Sequence, residues 1–176
     1  MYQRILVPVD GSSTSDAGLA EAIRLARGSG GRLRLIHVID DQSFGFGMAA
    51  YGEYPGDWLT VLRDNGMDIL EKGQATAKSA GVEVEIKLHD GLLGALDDIV
   101  QKEAAQWPAD LIVLGTHGRR GVGRLMLGSD AERIVRSSNV PVLLVHGAKP
   151  EAGGAAVAAE VKALAGATAS TVAALG

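Results

Sequence analysis

Cysteine is absent from the 176 residues. That absence excludes disulfides, thiolate catalysis and cysteine-based zinc sites. An excess of positive charge is missing too, the formal net charge being −4. Nucleic-acid and membrane-surface binding usually need clustered cations, so neither is favoured. No apolar run reaches the roughly 18–20 residues that cross a bilayer. Met1-Tyr2-Gln3-Arg4 leads straight into a strand-like segment, which reads as the start of a chain without a signal peptide. These absences together predict a soluble, cytoplasmic protein. What remains is ordinary: 47% hydrophobic and 22% charged residues, enough for one domain with a real core.

The apolar runs alternate with helical patterns. Arg4–Val9 (RILVPV), Leu33–Ile39 (LRLIHVI), Ala109–Leu114 (ADLIVL) and Val140–Val145 (VPVLLV) are short and rich in β-branched residues. Such runs read as strands covered on both faces, where alternation is lost. Val82–Leu88 (VEVEIKL) alternates strictly and predicts an edge strand with one wet face. Helices are expected over Thr14–Arg27, stopped by Gly28–Gly31, and over Asp57–Ala80, Leu92–Ala105 and Ser129–Ser138. The rhythm β-α-β-α-β-α-β-α-β predicts a doubly wound α/β fold, a five-stranded parallel sheet with helices on both faces. In such sheets ligands bind outside the carboxyl ends of the strands, where the strand order reverses. Asp41–Gly56, rich in glycine and aromatics, reads as a long loop. The first 147 residues form the domain; 148–176, nearly all Ala, Gly, Val and Thr, read as a disordered or weakly helical tail.

The chemistry concentrates after the fourth strand, in Gly115-Thr116-His117-Gly118, then Arg119, Arg120, Gly121, Gly123 and Arg124, and finally Gly128-Ser129. Glycines let a backbone approach a ligand, and a helix start offers free N–H groups with about half a positive charge. Together these make a phosphate cradle. The stretch is no Walker A loop, since Gly123-x4-Gly128-Ser129 lacks the lysine. Nor is it a dinucleotide fingerprint, because a third glycine would have to stand where Met126 does. A purely structural role competes: Ser129-Asp-Ala-Glu132 reads as a capping box, and the glycines as loop formers. Asp10 could equally close the turn after the first strand. His37 and His117 read as core or solvent-facing histidines, and His89-Asp90 as a strand-end turn.

The spacing Gly115-x2-Gly118-x9-Gly128-Ser129 resembles the nucleotide-binding motif of universal stress proteins, as do the opening RILVPVDGS and the final strand VPVLLV. The resemblance covers residues 1–146. It implies strand order 3-2-1-4-5 and ATP across the ends of strands one and four. Pro8, Val9 and Asp10 would line the adenosine pocket, with Val38 against adenine. Gly115, Thr116, His117, Gly118, Arg119, Gly128, Ser129 and Asp130 would surround the phosphates. Magnesium would ride on those phosphates, since Asp40-Asp41 makes a poor cage by itself. Asp130 would repel an anion unless nearby arginines offset it. The family also pairs through its last strand, so a homodimer is implied; the tail of the same chain could cover that strand instead.

The leading functional reading is an ATP-binding regulatory protein of the stress response with little or no catalysis. A nucleotidyl transferase or electron-transfer-type binder on a related fold often carries a histidine in the loop after strand one, and Asp10-Gly11-Ser12-Ser13 has none. Two further readings stay open: a nucleotide-free dimeric interaction module, and a slow ATP-hydrolysing enzyme on the same fold.

Overall fold

The computed structural model describes residues 1–39, 58–90, 94–116 and 128–146. The expected loop over 41–56, the middle of the glycine stretch and the tail from 148 lie outside the described residues. The elements follow the anticipated rhythm: β1 Arg4–Pro8, α1 Ser13–Ser29, β2 Arg32–Ile39, α2 Trp58–Ser79, β3 Val84–Asp90, α3 Leu96–Gln106, β4 Leu111–Gly115, α4 Ser129–Ser137 and β5 Val142–Val145. The strands form one sheet in the order β3-β2-β1-β4-β5, and every pairing is parallel.

The sheet is sandwiched between two apolar layers. On one face α1 and α2 bring Leu19, Ala22, Ile23, Ala26, Leu70 and Ala77 against Ile5, Val7, Leu33, Leu35 and Val113. On the other, α3 and α4 bring Val100, Ala104, Ala131 and Ile134 against Leu6, Ile36, Ile112 and Leu114. Ile5, Leu6 and Val7 are at most 1% exposed, so β1 is wrapped on both sides and its sequence has no reason to alternate. Two layers of helices must bury a parallel sheet because its connections place a helix on one face or the other.

β3 is an edge strand, as its alternation predicts, but its polar face is not simply wet. Arg34, Glu85, Lys87 and His89 lie on the α3 side of β2 and β3, where α3 lowers Glu103 among them. Glu103 is 1% exposed. Its carboxylate accepts from Arg34 Nη1 at 2.5 Å and Lys87 Nζ at 2.6 Å, and His89 Nε2 stands 3.2 Å away. Arg34 also donates to Glu85 at 2.5 Å, and its guanidinium lies 4.8 Å from the Trp107 ring centre. Trp107 Nε1 donates to Glu85 at 3.3 Å. The expected turn at His89-Asp90 is strand instead: β3 runs on to Asp90, in register with Ile39. Seven consecutive pairs with β2, reaching Ile39–Asp90, carry the strand past the point where turn residues would stop an isolated segment.

Burial raises the Glu103 carboxyl, yet hydrogen bonds from Lys87 and Arg34 outweigh it and hold the group below the ordinary carboxylate range. Burial pushes His89 below the ordinary imidazole range against the pull of Glu103. A carboxylate lowered by folding stabilises above its unfolded pKa, and that contribution goes as pH falls through the folded value. A lowered imidazole likewise stabilises while neutral and destabilises once the unfolded chain takes up the proton first. Thermal melts should therefore be level from pH 8 to 7, dip below about pH 6.5 and drop steeply below about pH 4.3. His89→Asn should remove the dip. Glu103→Gln should cost about 3 kcal/mol at pH 7 and flatten the acid limb. A melting temperature unchanged down to pH 4 in the parent protein contradicts this account.

Candidate functional site

Three strands end at one edge of the sheet and deliver the residues singled out above. β1 leaves through Pro8, Val9 and Asp10. Gly11, at φ 75°, turns the chain where a side chain would be strained. Asp10 Oδ1 accepts from the Ser12 N–H at 2.9 Å, and Ser12 Oγ accepts from the Ser15 N–H at 3.2 Å. Asp10 thus closes the turn and Ser12 caps α1. Val9 is buried in the α1–α2 layer, and its carbonyl lies 2.7 Å from His37 Nδ1. His37 is a core histidine, 8% exposed. By alternation Pro8 and Val38 stand on the opposite face, and both are half-buried. Val38 is therefore not packed into the core.

β4 leaves through Gly115 and Thr116. A Cβ on Gly115 would lie 2.5 Å from the Thr14 carbonyl oxygen and 2.9 Å from the Ser15 nitrogen. Gly115 is thus required by the approach of α1 to β4, where Gly18 of α1 meets it. Thr116 is 1% exposed. Its N–H donates to the Val145 carbonyl at 3.0 Å, and its carbonyl accepts from the Gly128 N–H at 2.9 Å. That second bond sets where α4 begins.

The capping box expected at Ser129 does not form. Gly128 is the cap residue, and among the described residues no side chain caps the helix. Because Thr116 pins the Gly128 N–H and the Gly128 carbonyl accepts from Glu132 at 2.9 Å, the helix starts one residue early for Ser129 to cap it. Glu132 pairs with Arg136 at 3.0 Å instead. Ser129 and Asp130 are exposed at the positive end of α4, with their N–H groups unclaimed by any side chain among the described residues. Asp130 accepts from Arg133 Nη2 at 2.5 Å, so the charge that would repel an anion has a counter-charge inside its own helix. Pro8, Asp10, Val38, Gly115, Thr116, Gly128, Ser129 and Asp130 thus share one edge of the sheet. His117, Gly118 and Arg119 fall outside the described residues. His146 joins the edge unannounced, with Nδ1 3.0 Å from Thr116 Oγ1. Among the described residues no three His, Asp or Glu side chains gather as a metal site, and no helix is long and apolar enough to cross a membrane.

The sequence model of the universal stress protein family matches residues 1–146. The chain belongs to the universal stress protein family. A universal stress protein of Methanocaldococcus jannaschii is 33% identical over 154 residues, covering 86% of each chain. The crystal structure of a family member from Burkholderia pseudomallei superposes with a TM-score of 0.63 at 29% identity, over 81% of this chain and 95% of that one. A universal stress protein solved in complex with cAMP gives 0.59 at 26% identity, over 84% and 98%. The fold and strand order expected from the resemblance are those of the family.

The two serines should behave oppositely. Ser12→Ala removes a cap and should cost about 1 kcal/mol. Ser129→Ala removes none and should stay within about 0.5 kcal/mol of the parent in urea melts. Equal losses would restore the capping role to Ser129.

Proposed function

We propose that this universal stress protein binds an adenine nucleotide, ATP in the first instance, along the ends of β1 and β4, and acts by binding rather than turnover. The observation that carries this reading is the amino end of α4. Thr116 holds it at the sheet edge, a glycine occupies its cap position, and among the described residues no side chain caps its N–H groups. Such an end attracts phosphate through hydrogen bonds and dipole together. Half-buried Pro8 and Val38 offer an apolar wall for a base, and Asp10, also half-buried, follows at the end of β1. The family member crystallised with cAMP supports an adenine nucleotide as the class of ligand. Magnesium, in this reading, is carried by the phosphates. Asp10, whose carboxylate closes a turn, is assigned to the ribose rather than to a general base. We further assign the protein to the cytoplasm, in a regulatory role under stress.

Titration calorimetry should show ATP binding, with GTP weaker by tenfold or more. Val38→Asp should weaken ATP at least tenfold while the half-exposed position keeps the fold intact. No heat or retention at millimolar ATP would sink the proposal, and multiple-turnover phosphate release at an enzyme-like rate would move it to the hydrolase class.

A homodimer through β5 is a second element of the proposal. All four β5 residues are half-exposed and apolar, on a strand whose outer edge pairs with no strand among the described residues. Natural sheets cover such edges. Sedimentation should give a dimer that Leu143→Lys disrupts; a monomer at all concentrations favours cover by the chain's own tail.

A further inference from the structure

β4 and β5 run in parallel register with Gly115 opposite Val145. One step on, Thr116 stands opposite His146. Leu114 and Leu144 both join the layer under α3 and α4. Side chains alternate along a strand, so Thr116 and His146 come up on that same face two residues later. This is the face, and the end, from which α4 starts. The two side chains meet at 3.0 Å, His146 Nδ1 to Thr116 Oγ1. Thr116 is buried, and its carbonyl accepts from the N–H of Gly128, the cap residue of α4. One residue therefore holds the helix start with its main chain and an imidazole with its hydroxyl. His146 is exposed, and its Nε2 has no partner among the described residues.

The geometry points to His146 as a phosphate-facing residue of the nucleotide site, positioned by Thr116, that favours phosphorylated adenosines over adenosine. The inference rests on the nucleotide reading above. The argument is one of donors. With Nδ1 committed to Thr116, the ring has a single nitrogen left to offer. The neutral ring that accepts from the Thr116 hydroxyl carries its proton on Nε2, and so does the imidazolium that donates to it. Both forms present an N–H to an anion; only the neutral Nδ1–H tautomer does not, and an anion selects against it. The positive end of α4 supplies the anion's other partners. Asp130, the nearest carboxylate of that helix end, is engaged by Arg133.

Equilibrium binding of adenosine, AMP and ATP to the full chain tests this. His146→Ala should lose about tenfold in ATP affinity, the worth of one hydrogen bond to a charged group, and under twofold for adenosine. His146→Gln, whose amide reaches the Nε2 position, should recover most of the ATP loss. ATP affinity within twofold of the parent in His146→Ala, or equal losses for adenosine and ATP, overturns the role of His146 while leaving the nucleotide site standing. A parent protein that binds none of the three overturns the site itself.

Discussion

Thr116 leaves the sheet with both main-chain groups taken. Its N–H ties β4 to the end of β5, and its carbonyl fixes the first turn of α4. An isolated helix start is costly to order, since several residues must be set for one bond. Here a strand end does the ordering. The helix dipole is thereby aimed along the sheet edge rather than wherever a loop leaves it. The start of α4 and the His146 ring are both held to this residue. Its near-total burial keeps water from competing for those bonds.

Most of the fold was legible because hydrophobic pattern reports burial directly. β1, with Ile5, Leu6 and Val7 all enclosed, could only look apolar throughout. β3 looked alternating because one of its faces carries charge. The pattern does not say what meets that charge: Arg34 on β2 and Glu103 on α3 are far from β3 in sequence. Ser129 shows the converse. Its local motif suits a capping box, and a tertiary bond from Thr116 overrides it by one residue. His37 was readable as a core or solvent-facing histidine, though not its bond to the Val9 carbonyl. His146 had no local signal at all. It follows an apolar run, and only the β4–β5 register puts it beside Thr116.

The two faces of the sheet are built on different physics. The α1–α2 layer is mostly apolar, with His37 at its carboxyl end bonded to the Val9 carbonyl. The α3 side gives part of its area to Glu103 and its cations, roofed by Trp107. Groups so enclosed bind only in one arrangement, because a misplaced partner leaves an uncompensated charge. Apolar contacts tolerate sliding; this cluster does not. It fixes α3 over β2 and β3 at the β3 edge of the sheet.

Gly18 and Gly115 meet where α1 crosses β4, with a spacing that leaves no room for a methyl group on Gly115. The seam between α1 and the end of β4 is consequently closed to any side chain at Gly115. Ordering a binding surface is a large part of what association costs. A surface packed this closely is ordered as the chain folds, so the cost of ordering it falls on folding.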